Sequence, residues 1–115
     1  MQFSKEDIGK TLYMIEPVKI DGQSFNIIYA GILVGIIPKY QFLDAYNAEY
    51  KREQNYLFRV MGLFDQISTK TTTAPEMIFE KLGEAIGKSG TNSLFHYSVI
   101  LKREKEAQNR QAHKE

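Results

Sequence analysis

Between residues 27 and 37 the chain carries its longest unbroken apolar run, Ile-Ile-Tyr-Ala-Gly-Ile-Leu-Val-Gly-Ile-Ile, which Pro38 and Lys39 end abruptly. β-branched side chains favour a pleated strand, whereas Gly31 and Gly35 would each weaken a helix by about 1 kcal/mol. In a strand the same glycines let a sheet bend or let a neighbouring backbone come close. The run predicts a central, strongly curved strand, with Gly31 as the bend. Upstream, Asp7-Ile8-Gly9-Lys10 reads as a turn into a first strand over 11–20. There Leu12, Met14, Val18 and Ile20 share one face of the pleat, and Pro17 marks an edge position or a bulge. Asp21-Gly22 between the two strands is a hairpin signal, because a two-residue type I′ turn needs positive φ at both positions.

Downstream the pattern supports two readings. Tyr56 to Phe64 has strand propensity, and the polar segment 39–55 before it reads as a long insertion. Alternatively, Leu43, Tyr46, Tyr50, Leu57, Val60, Phe64 and Ile67 fall on one heptad-like seam, broken by Glu53, which predicts a hairpin sheet plus a long amphipathic helix over 42–68. After a threonine-rich connector, Thr73 and Glu76 fit a capping box with Pro75 in the first turn. A helix would follow with Ile78, Leu82, Ala85 and Ile86 on one face, stopping at Gly90. Residues 93–101 alternate and predict a half-buried strand. From Lys102 no apolar stripe survives, so 102–115 is expected to be a solvated helical extension or a disordered tail beyond a single globular domain of 1–101. The fold class is therefore α+β: a small, strongly curved antiparallel sheet or SH3-like barrel with one packed helix in the carboxy-terminal half.

Three segments together resemble the small SH3-like barrel proteins of bacterial, plasmid and phage genomes. They are Asp7-Ile8-Gly9-Lys10-Thr11-Leu12-Tyr13-Met14-Ile15, Tyr29-Ala30-Gly31-Ile32-Leu33-Val34-Gly35-Ile36 and Tyr56-Leu57-Phe58-Arg59-Val60, joined by Ile78-Phe79 and Glu84-Ala85. The resemblance covers about two thirds of the chain and departs from the pattern at 39–55 and after residue 93. It implies a barrel fold and a binding module, with a host-modulating role if the gene is carried by a phage or mobile element.

Composition removes several chemistries. With no cysteine among 115 residues there is no disulfide framework, thiolate nucleophile or cysteine metal site. That composition suits a reducing cytoplasm, and the acidic start of the chain lacks the apolar segment of a signal peptide. The central apolar run is shorter than the roughly 20 residues a membrane helix needs. Two phosphate-loop look-alikes fail on spacing. Gly83-Glu84-Ala85-Ile86-Gly87-Lys88-Ser89 is one residue short and lies within the predicted helix, and Gly9-Lys10-Thr11 has no upstream glycine. His96 and His113 have no carboxylate partners at metal-site spacing. A serine nucleophile at Ser98 would have only His96 as a nearby base, so the sequence predicts no catalytic site, metal or cofactor.

The segment 39–59 carries the functional expectation. Tyr40, Tyr46, Tyr50 and Tyr56 interleave with Lys51, Arg52 and Arg59, and exposed tyrosine and arginine are typical interface anchors. The sequence thus points to a non-enzymatic module binding a protein partner or a second copy of itself, through these residues or an exposed sheet edge. The same residues suit single-stranded nucleic acid, with bases stacked on rings and cations on phosphates. A net charge of +1 moderates that alternative.

Overall fold

The computed structural model describes residues 3–43, 49–62 and 66–114. It is α+β, with a six-stranded sheet, a separate two-stranded ribbon and two helices. A 3₁₀ turn at Lys5–Asp7 and Gly9 at φ 99° lead the chain into β1 (Thr11–Ile20). The Asp21-Gly22 turn, with φ of 51° and 79°, folds it back as β2 (Gln23–Ile37) in unbroken register from Ile20↔Gln23 to Thr11↔Ile32. Both positive φ values are those of the predicted I′ hairpin. Pro17 is paired with Asn26 in that register, with no bulge. Among the described residues the other side of β1 is paired only at Tyr13 and Met14, so Pro17 sits where no amide is required of it.

β2 is the spine. One edge carries β1. The other carries first β8 (Ser93–Phe95), parallel, over Asn26–Ile28, and then β5 (Asn55–Met61), antiparallel, over 31–37. Gly31 acts as a close-approach residue here. A Cβ there would lie 3.1 Å from the Arg59 carbonyl oxygen and 3.1 Å from Val60 Cγ2. The irregularity in β2 falls three residues later: between Leu33 and Gly35 the register skips Val34, a bulge of the kind that bends and twists a strand.

The long-helix alternative for 42–68 is overturned. Its described residues form β3 (Tyr40–Leu43), β4 (Glu49–Arg52), β5 and the start of β6 (Ile67–Thr72), with β3 and β4 pairing as their own ribbon. Tyr56, Phe58 and Val60 are buried at period two, and that alternation prevails over the heptad seam because one face of β5 is committed to the core.

Two further expectations are corrected. The predicted helix does not begin at the Thr73–Glu76 box. Pro75–Met77 is a 3₁₀ turn, and Ile78–Phe79 is β7, paired with Met14 and Tyr13. Helix α1 covers only Leu82–Ser89, ending as predicted at Gly90 with φ 78°. The open side of β1 captures Ile78 and Phe79 as a strand, which outweighs the local helix-start signal. Likewise the strand expected over 93–101 stops at Phe95, and α2 (Tyr97–Lys114) follows. The described residues thus form two helices, and the second runs on through 102–114, where the sequence predicts a solvated helical extension or a disordered tail.

Sheet order is β6-β5-β2-β1-β7 with β8 beside β2, so the terminal strands β6 and β7 do not meet and the barrel is open. It is nonetheless strongly rolled. Lys70 on β6 and Glu16 on β1 are three strands apart and, through the paired registers, six residues apart along the strand direction. A flat sheet would set them roughly 24 Å apart, yet Lys70 Nζ lies 3.5 Å from Glu16 Oε2. Rolling gives each face its own core. Phe3, Leu12, Met14, Tyr29, Leu33, Tyr56, Phe58, Val60 and Ile78 fill the inner side. Tyr13, Ile15, Ile28 and Ala30 pack under Ala85 of α1 and Val99 of α2 on the outer side.

Candidate functional site

The start of α2 is fixed by a polar cluster on the spine. His96 donates its backbone N–H to the Ile28 carbonyl (2.9 Å), continuing the β8 pairing by one residue. Its side chain then caps the helix: Nδ1 accepts the Ser98 backbone N–H at 3.1 Å and lies 2.9 Å from Ser98 Oγ. That hydroxyl in turn accepts the Ala30 backbone N–H at 2.9 Å. Ser98 and His96, the one nucleophile–base combination raised by the sequence, are therefore in contact. The Ser98 side chain is buried and its hydroxyl is occupied at both ends, so the pair ties α2 to β2. The His96 ring also stacks on Tyr29 at 4.5 Å between centroids. Burial pushes the His96 pKa below 6.5 and the nearby Lys70 adds to this, with Glu16 opposing. Lys70 stands 5.0 Å over the Tyr29 ring. Burial works against its ammonium, but Tyr29 and Glu16 outweigh that and hold its pKa above the usual lysine value.

The open side of the molecule lies on β6. This strand pairs with β5 from Tyr56↔Thr72 to Met61↔Ile67, and among the described residues no strand pairs with its outer edge. In the same register Gly62 donates its N–H to the Gln66 carbonyl at 2.7 Å. Hydrogen-bonded and non-bonded pairs alternate in an antiparallel ladder. Ser68, Lys70 and Thr72 therefore bond inward to β5, while the amides and carbonyls of Ile67, Thr69 and Thr71 face outward. Ile67 is 57% exposed.

A groove of about 180 Å³ adjoins this edge on the helix side of the sheet. Its floor is Ile32, Met61 and Ile67 with Arg59, and its wall is the α2 stripe Ser98, Leu101, Lys102 and Lys105. That stripe has the i, i+3, i+4, i+7 spacing of a helix face turned to a sheet. Its first half is apolar or hydrogen-bonded and closes over Ala30, but its second half is lysine, so Ile32 stays 42% exposed. Lys102 is fixed: Nζ donates to the Tyr13 hydroxyl (2.7 Å) and to Glu106 Oε1 (2.8 Å). Among the described residues no acid pairs with Arg59 or Lys105.

The structure scatters the residues singled out from sequence. Arg59 is exposed on β5 and lines the groove. Tyr56 is only 4% exposed, in the inner core, with its ring edge-on to Phe3 at 6.4 Å and its hydroxyl accepting from Gln54 Nε2 at 3.0 Å. Tyr40, Tyr50, Lys51 and Arg52 lie on the β3–β4 ribbon, where Tyr40 is in register with Arg52 and Gln41 with Lys51. Tyr46 lies outside the described residues. Lys102 and Lys105 were missed, although their spacing from Ser98 and Leu101 is legible once 97–114 is read as a helix. Among the described residues no three acids or histidines converge as a metal site needs, and no helix is long and apolar enough to cross a membrane. The chain matches no protein-family model, no curated protein and no solved structure.

Proposed function

We propose that this protein is a non-enzymatic interaction module that takes an extended segment of a partner protein, or of a second copy, onto the outer edge of β6. The observation that carries this reading is the open edge at Ile67, Thr69 and Thr71. Unpaired strand edges template the addition of another strand, with main-chain hydrogen bonds supplying affinity. The edge is short, rich in threonine and carries Lys70, the composition by which proteins keep such edges from indiscriminate aggregation. The resemblance to small SH3-like barrel proteins, read here as a rolled but open relative, points to binding as well. A host-modulating role for a mobile element, exercised in the cytoplasm, is consistent with that use. The nucleic-acid alternative is weaker because Tyr56 has its ring in the core and cannot serve as a stacking platform.

Panning a displayed peptide library on the wild type and on Thr69→Pro tests the reading. Proline is tolerated on an edge strand where its nitrogen faces solvent, so the variant keeps the fold while losing one outward donor. Enriched peptides should bind the wild type and lose at least tenfold in affinity on Thr69→Pro, with circular dichroism unchanged. Peptides binding both forms equally would move the interface away from β6 and overturn the proposal.

A further inference from the structure

Resting on the β6 reading above, we infer that the groove beside that edge selects acidic partners: the docked strand carries carboxylates that meet Arg59 and Lys105 and aliphatic side chains that cover Ile32 and Ile67. The juxtaposition is specific. Ile67 belongs both to the edge and to the groove floor, so side chains on the helix face of an added strand would stand next to it. The added strand would lie two strand spacings from β5, about 10 Å, a gap that an arginine and a glutamate side chain bridge between them. The floor is apolar and partly uncovered, while the rim is basic. Glu106 engages Lys102, which holds that lysine as a fixed wall, whereas Arg59 and Lys105 are exposed and pair with no acid among the described residues. A basic rim around an apolar floor favours an occupant of opposite charge and disfavours one of like charge.

The test uses three fluorescein-labelled probes: an extended peptide alternating valine or leucine with glutamate, the same peptide with lysine for glutamate, and an oligothymidylate. Anisotropy is measured on the full chain, on Arg59→Glu, on Lys105→Glu and on Thr69→Pro. Amide exchange of Ile67, Thr69 and Thr71 is followed alongside, which distinguishes docking on β6 from binding elsewhere. The glutamate peptide should bind best, slow those three amides, weaken about fivefold with each charge reversal, and be lost on Thr69→Pro. Equal binding of the two peptides, both abolished by Thr69→Pro, would overturn the acidic selection and leave the edge reading intact. No protection of the three amides by either peptide would overturn both. Tighter binding of the oligothymidylate, sensitive to the same charge reversals, would replace the acidic peptide with nucleic acid.

Discussion

At the scale of single residues, Gly31 and His96 show how local chemistry fixes this fold. A side chain at Gly31 would crowd β5, with its Cβ 3.1 Å from the Arg59 carbonyl oxygen, whereas a Cβ on Gly35 meets nothing within 4 Å. Gly31→Val should cost about 1–3 kcal/mol by overpacking, and Gly35→Ala should stay within about 0.5 kcal/mol of wild type, both read from urea midpoints. The sequence marks both glycines as places for a bend or a close neighbour and takes Gly31 as the bend; that β5 presses on Gly31 while the bulge falls at Val34 is a long-range fact that no local window contains. His96 has a depressed pKa, so the unfolded chain takes up its proton at a higher pH than the native state does. Its contribution is fully present above 6.5 and is lost as pH falls through the native pKa. Lys70 strengthens that depression and Glu16 opposes it, while Tyr29 stacks on the ring. Urea titrations between pH 7.5 and 5 should show stability falling with acidification, and His96→Asn, which can still cap a helix, should remove that part of the slope. An unchanged slope would mean the imidazole does not titrate at the cap.

Elements were legible where their signal is self-contained and illegible where another element competes for the same residues. The Asp21-Gly22 hairpin, the β2 run and the Gly90 stop depend on neighbours in sequence, and each is found where the pattern places it. Ile78 and Phe79 carry a good helix pattern, yet the vacant side of β1 takes them as β7. Residues 97–101 alternate like a strand, yet the His96 cap and the Ser98 bond to Ala30 begin a helix there. Ser98→Ala leaves the buried Ala30 amide without its acceptor and should cost about 1–3 kcal/mol, with helical circular dichroism lost from α2 before the sheet unfolds. An equivalent loss with Leu94→Ala, whose side chain is 39% exposed, would contradict this assignment of the anchor. The candidate surface was half legible for the same reason. Arg59 could be read from its interleaved aromatics, but Lys102 and Lys105 acquire meaning only when α2 turns them toward Ile32 and Ile67.

For the whole molecule, the decisive feature is a sheet that rolls far enough to join Lys70 to Glu16 without closing. Closure would have paired β6 and abolished the edge on which the functional proposal depends. Amide hydrogen exchange of the free protein at low concentration, resolved residue by residue along β6, reads that feature directly. Alternation is the predicted result, with Ser68, Lys70 and Thr72 protected by β5 and Ile67, Thr69 and Thr71 exchanging at near-solvent rates. Protection of all six amides would mean that the edge is already covered, and would contradict the account.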